Sequence, residues 1–152
     1  MGEENRQTAA EYPKVEIYSF EAVERRAKTP WGGKTALISV GDIGTDAPTL
    51  NHKPDYYLRL TFDDVSDDDP DDDGVQITPE QAGTIAKFII EHIPLVNTFT
   101  FQCEYGESRS AAIAAAMLQY FSGSGIDIFA DTRYFPNKLA YKMVLASLSR
   151  LN

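Results

Sequence analysis

Cysteine, histidine and positive charge are all scarce in this sequence. A single cysteine, Cys103, stands among 152 residues, so no internal disulfide can form and nothing calls for an oxidising compartment. His52 and His92 have no partner at metal-ligand spacing, and each is expected on the surface or a helix flank. The longest apolar stretch, around Ala111 to Phe121, is too short to span a bilayer. The opening MGEENRQTAAEYPK has no apolar core for a secretion signal, and Arg6 sits where a myristoylation signal needs Ser or Thr. The expectation is a cytoplasmic protein. Fourteen bases face 23 acids, a formal net charge of −9, and such a surface repels nucleic acid and anionic membranes. Neither is expected as a partner, and any handling of phosphate must be confined to one local site.

Hydrophobic residues make up 43% and aromatics 11%, a composition that folds. A chain of this length buries roughly two-thirds of its unfolded surface, enough for one core without staples. The organisation expected is a flexible arm over 1–13, closed by Pro13, and a single domain over 14–152. Strands are expected at VEIYS (15–19), TALISVGD (35–42), YYLRLTF (56–62) and TFTFQC (98–103). Helices are expected at 20–28, from Thr78-Pro79-Glu80 to Pro94, from about Ser108 to Phe121, and at 138–151. Strands alternating with helices predict an α/β fold: three layers, with a mostly parallel central sheet flanked by helices.

The turn after TFTFQC carries the chemistry. In open α/β sheets ligands bind beyond the carboxyl ends of strands, and helix N-termini attract anions. Backbone amides from Cys103 to Ser110 can curl into a concave nest, helped by Gly106, which adopts φ > 0 without steric cost. Arg109 offers a planar fork suited to two phosphate oxygens. A thiol placed there meets amides, a helix dipole and a guanidinium, all of which favour thiolate. Ser110 can donate to that sulfur.

Cys103-Glu-Tyr-Gly-Glu-Ser-Arg109-Ser110 resembles the Cys-x5-Arg-Ser/Thr signature of cysteine-dependent protein tyrosine phosphatases. The CxxGxSRS form is most similar to the small dual-specificity branch, including compact bacterial and phage-borne members, and the likeness covers roughly residues 35–150. It implies a phosphate loop between a strand and a helix, with Glu104, Tyr105, Gly106, Glu107, Ser108 and Arg109 around the anion. It further implies Cys103 as nucleophile, Arg109 as oxyanion clamp, Ser110 as assistant to the sulfur, and an aspartate after an upstream strand as general acid. LRLTFDDV offers Asp64 for that role, with Asp63 as the alternative. Phe135-Pro136-Asn137 is similar to the Pro-Asn turn that opens the family's last helix, although Asn137 also reads as a plain turn residue. The implied substrate is a phosphorylated protein or peptide carrying phosphotyrosine, with phosphoserine and phosphothreonine as further candidates. No cofactor or metal is implied. The chain departs from the family at Gln102, where histidine is usual, at Glu104 and Glu107 inside the loop, and in a longer gap between Asp64 and Cys103. Gln102 and the acidic loop also suit an inactive phosphate-binding protein of the same fold, which is the alternative reading.

DDDPDDDGVQITPE satisfies a second pattern. Asp69, Asp71, Asp73, Gly74 and Glu80 have the spacing of an EF-hand calcium loop. A strand precedes it, however, and Pro79 and Glu80 already read as a helix start. The alternatives are a solvated loop and a tract that competes with phosphate for Arg109. Tyr105 and Trp31 suit either a substrate cleft or ordinary packing.

Overall fold

The computed structural model describes residues 12–66 and 69–152. The predicted arm falls outside them except at its end. There Tyr12 meets the ring of Phe121 and Pro13 is buried.

Four strands form one sheet: β1 (Lys14–Tyr18), β2 (Thr35–Gly41), β3 (Tyr56–Thr61) and β4 (Thr98–Gln102). Their order is β1-β4-β2-β3, and every pairing is parallel. The expected mostly parallel sheet is therefore wholly parallel. All of β2 is buried, as the continuous TALISVG run requires of a central strand covered on both faces. Side chains alternate across the sheet. Ala36, Ile38, Val40, Phe99 and Phe101 enter the main core, whereas Leu37 joins Val23, Ala27 and Leu50 in a smaller one on the opposite face.

Helix α1 (Phe20–Arg26) covers that smaller core. On the other face lie α2 (Pro79–His92), α3 (Arg109–Ser122) and α5 (Lys138–Leu151), with α5 packed on both α2 and α3. The three-layer arrangement is as expected. Ala111 to Ala116 are fully buried, and the five alanines among them let α3 lie close against the sheet and α5. A short helix, α4 (Ile126–Ala130), was not expected from the sequence. His92 lies on a helix flank against Tyr56 and Phe88, and His52 is exposed, both as predicted. No helix among the described residues is long and apolar enough to cross a membrane.

The start of α2 shows its sequence logic. Thr78 accepts from the Gln81 amide, the Gln81 side chain accepts from the Thr78 amide, and Pro79 occupies the first turn. The Gln81 side-chain Nε2 donates to the Thr61 carbonyl, tying the helix to the end of β3. Thr78→Ala should therefore lower unfolding free energy by about 1 kcal/mol, measured by urea denaturation, with the denaturant slope unchanged.

Candidate active site

The site is assembled at the carboxyl edge of the sheet, where β4 ends in Cys103. The thiol is 2% exposed. Its sulfur lies 3.0 Å from the Ser110 hydroxyl and accepts the Ser110 amide at 3.4 Å. The Cys103 amide donates to the Tyr18 carbonyl at 3.3 Å, and the Glu104 carbonyl accepts from Phe20 at 3.0 Å. The loop is thus moored to the β1–α1 junction. Gly106 makes that approach feasible, for its φ is +69° and a Cβ would stand 2.7 Å from the Ser19 nitrogen and the Tyr18 carbonyl carbon. Both the backbone conformation and the space exclude a larger residue.

Arg109 begins α3 and is 4% exposed. Its Nη1 donates to the Phe62 carbonyl at 2.7 Å and pairs with an Asp42 carboxylate oxygen at 2.8 Å. Its Nε is buried with no partner among the described residues. A charged fork fixed at one end and unsatisfied at another suits an anion placed against it. Asp42 was not anticipated from sequence. The available signal was its position just past a strand in a parallel sheet, at the edge where ligands bind.

The two adjacent aspartates after β3 have separate surroundings. Asp63 accepts the Val75 amide at 2.8 Å and the Ile43 amide at 3.2 Å, joining the loops after β2 and β3. These backbone bonds, Val75 first and then Ile43, hold its carboxyl below the ordinary range, and the more distant Arg109 charge acts in the same direction. Asp64 turns to the Cys103–Ser110 loop instead. One oxygen accepts from the Ser108 hydroxyl at 2.8 Å and the Asn137 amide at 2.7 Å, leaving its other oxygen without a protein partner among the described residues.

Asn137 is more than a turn residue. Its Nδ2 also donates to the Val65 carbonyl at 2.9 Å, while its Oδ1 accepts the Ala140 amide and caps α5. Beside it, the amides of Phe135 and Asn137 donate to the carbonyls of Glu107 and Ser108. A cleft of about 300 Å³ is lined by Asp64, Ser66, Ser108 and the Phe135–Lys138 segment. A second cavity, about 600 Å³, is lined by Ser19, Phe20, Glu21, Glu24, Glu104, Tyr105 and Glu107. Tyr105, 76% exposed, thus stands at a cavity mouth. Trp31 does not, for it stacks under Arg26 and donates to the His52 carbonyl.

Among the described residues no three His, Cys, Asp or Glu side chains gather to hold a metal, those of the calcium pattern, Asp69, Asp71, Asp73 and Glu80, included. The acidic segment bonds to its own backbone: Asp69 accepts the Asp71 amide and Asp72 the amides of Ser66 and Gly74. Arg109, for its part, is paired with Asp42 and not with the described residues of this segment.

No family model and no curated protein sequence matches the chain. Among solved structures it is similar to human DUSP28, at 18% identity over 91% of this chain and 94% of that one, with a TM-score of 0.62. It is also similar to the Cydia pomonella PTP-2 phosphatase, at 13% identity over 88% and 84% of the two chains, TM-score 0.60. A third is the human tyrosine phosphatase-like serine/threonine/tyrosine-interacting protein, at 19% identity over 78% and 79%, TM-score 0.54. The chain therefore has the α/β fold of the dual-specificity and protein tyrosine phosphatases, which agrees with the resemblance carried by its Cys103–Ser110 loop.

Because Asp63 is more acidic folded than unfolded, its two backbone bonds stabilise the fold above the ordinary aspartate range and are lost as pH falls through the lowered value. The melting-temperature gap between wild type and Asp63→Asn should accordingly be widest near neutrality. It should close as pH drops below about 4, as read by circular dichroism.

Proposed function

We propose that this chain is a phosphoprotein phosphatase that hydrolyses phosphotyrosine monoesters, with phosphoserine and phosphothreonine as further substrates, through a phosphocysteine intermediate. The observation that carries the reading is Arg109, a buried guanidinium held by Asp42 and the Phe62 carbonyl with an unsatisfied Nε. It stands on the same helix turn as the Ser110 that bonds the only sulfur atom of a cysteine in the chain.

In the proposed mechanism Cys103 attacks phosphorus in line, forming S–P as the ester P–O bond breaks. Arg109 and the loop amides hold the equatorial oxygens and oppose the charge that gathers there. Asp64 protonates the departing oxygen through the carboxylate oxygen not engaged by Ser108 and Asn137, and then accepts a proton from the water that cleaves S–P. Ser110 donates to the sulfur as it leaves. No metal takes part.

Gln102 gives the alternative reading of a phosphate-binding protein without turnover its basis. Hydrolysis of p-nitrophenyl phosphate in EDTA decides between them. Activity should persist with chelator, vanish in Cys103→Ser, and fall by about 100-fold in kcat in Asp64→Asn, with Asp63→Asn affecting stability more than kcat. Wild type that hydrolyses nothing yet melts higher with inorganic phosphate would establish the binding protein instead.

Glu21, Glu24, Glu104 and Glu107 around the second cavity favour a substrate with basic residues beside the phosphorylated one and oppose polyanionic substrates. Phosphopeptides with Lys or Arg flanks should show a kcat/KM about tenfold above acidic-flanked ones, and the ratio should shrink as salt rises.

A further inference from the structure

Behind the nucleophile, on the face of the sheet opposite the main core, three polar residues lie side by side across adjacent strands. The register pairs Gln102 of β4 with Ser39 of β2, and Ser39 with Arg59 of β3. Gln102 is 1% exposed and Ser39 fully buried. Gln102 Nε2 donates to the Cys103 carbonyl at 2.9 Å, Ser39 donates to Gln102 Oε1, and Arg59 Nη1 donates to the Ser39 oxygen at 2.9 Å.

Chemistry fixes the direction of every bond in this chain. The Cys103 carbonyl can only accept, so the Gln102 amide nitrogen must face it and the Gln102 oxygen must face Ser39. Ser39 has one proton and spends it on that oxygen. Its lone pairs then receive Arg59, which can only donate. All dipoles therefore run one way, from a fixed positive charge to the carbonyl of the cysteine. The other end of Arg59 is anchored as well, since Nη2 donates to the carbonyls of Thr45 and Asp46. A side chain at Gly41 would collide with the same guanidinium.

We propose that Arg59, Ser39 and Gln102 form a directed relay that positions Cys103 and keeps it reactive, with Gln102 as the terminal positioning residue and Arg59 as the source of charge. Hydrogen bonds in series polarise one another. A donor on the Cys103 carbonyl polarises the Cys103–Glu104 peptide, so the Glu104 amide becomes a stronger donor to an anion in the loop, whether thiolate or phosphate oxygen. The consequence for turnover rests on the phosphatase reading, but the consequence for the thiol does not.

Cys103 is the single cysteine of the chain, so its alkylation by iodoacetamide can be followed by mass without turnover or substrate. The informative quantity is the ratio of alkylation rates at pH 6 and pH 9, compared among wild type, Ser39→Ala, Arg59→Met and Arg59→Lys, each checked by thermal melting. The other charged groups on the surrounding elements include Glu16 of β1, Glu21, Glu24 and Arg26 of α1, Arg109 of α3, Asp42 and Asp46 after β2, Asp63 and Asp64 after β3, and Glu104 and Glu107 of the loop. They are common to all four proteins. Ser39→Ala and Arg59→Met should lower the ratio about three- to tenfold, and Arg59→Lys, which keeps a charged donor, should restore it to within about twofold. An unchanged ratio in folded Ser39→Ala or Arg59→Met would overturn the relay, as would Arg59→Lys behaving like Arg59→Met. Should Ser39→Ala not fold, the Arg59 pair on the half-buried edge strand β3 decides alone. A relay upheld by alkylation in a protein that hydrolyses no phosphate ester would refute the phosphatase reading and leave this inference standing.

Discussion

A guanidinium cannot shed its charge, and the burial of Arg109 is the constraint around which the site is built. Burying an ion is unfavourable unless partners replace its water. Here those partners arrive from different strands: Asp42 follows β2, the Phe62 carbonyl follows β3, and Arg109 itself opens the helix after β4. The all-parallel order β1-β4-β2-β3 is what makes this geometry available, because it sends the carboxyl ends of β4, β2 and β3 to one edge. Reversing any one of these strands would move its contribution to the far side of the molecule. The topology and the charge therefore require each other.

Much of this was legible in the sequence, and the limits have physical causes. Cys103, Arg109 and Ser110 could be read because the loop is contiguous, and its spacing sets a thiol, a guanidinium and a hydroxyl on one turn. Strands β1 to β4 and the start of α2 followed from apolar runs and from the Thr78-Pro79-Glu80 helix start, which are local signals. Asp42 was invisible because its meeting with Arg109 is made by strand order rather than by spacing. Helix α4 was missed because IDIFA is a single short turn whose Gly125 cap makes no side-chain bond. The EF-hand pattern shows a related limit: a run of aspartates satisfies spacing rules, whereas in the structure Asp69 and Asp72 accept amides of their own loop.

Asp63 and Asp64 show how far a sequence can go before geometry must decide. Both were candidates for one role, and their side chains take separate partners across a tight turn in which the Val65 amide donates to the Asp63 carbonyl. Asp63 is consumed by backbone amides from two loops, which makes it a brace. Asp64 is aimed by Ser108 and Asn137, and Asn137 also caps α5 through its carbonyl oxygen. One amide side chain thus fixes a carboxylate and begins a helix at once, so the orientation of α5 and the orientation of Asp64 are set by the same residue.

Surface and site have opposite electrostatic character. The chain carries a net charge of −9, and Glu104 and Glu107 stand exposed within the loop itself. Surface charges are screened within about a Debye length of salt solution, whereas buried groups are screened far less. An anion reaching Arg109 leaves the screened, repulsive exterior for donors shielded from water, and only the part that enters the loop gains. A single phosphate on an otherwise neutral or basic peptide satisfies both regions, while a second phosphate outside the loop would meet glutamates. In the function we propose, the acidity that makes this chain an unpromising anion binder at first sight becomes a filter, admitting one phosphate and rejecting its polyanionic relatives.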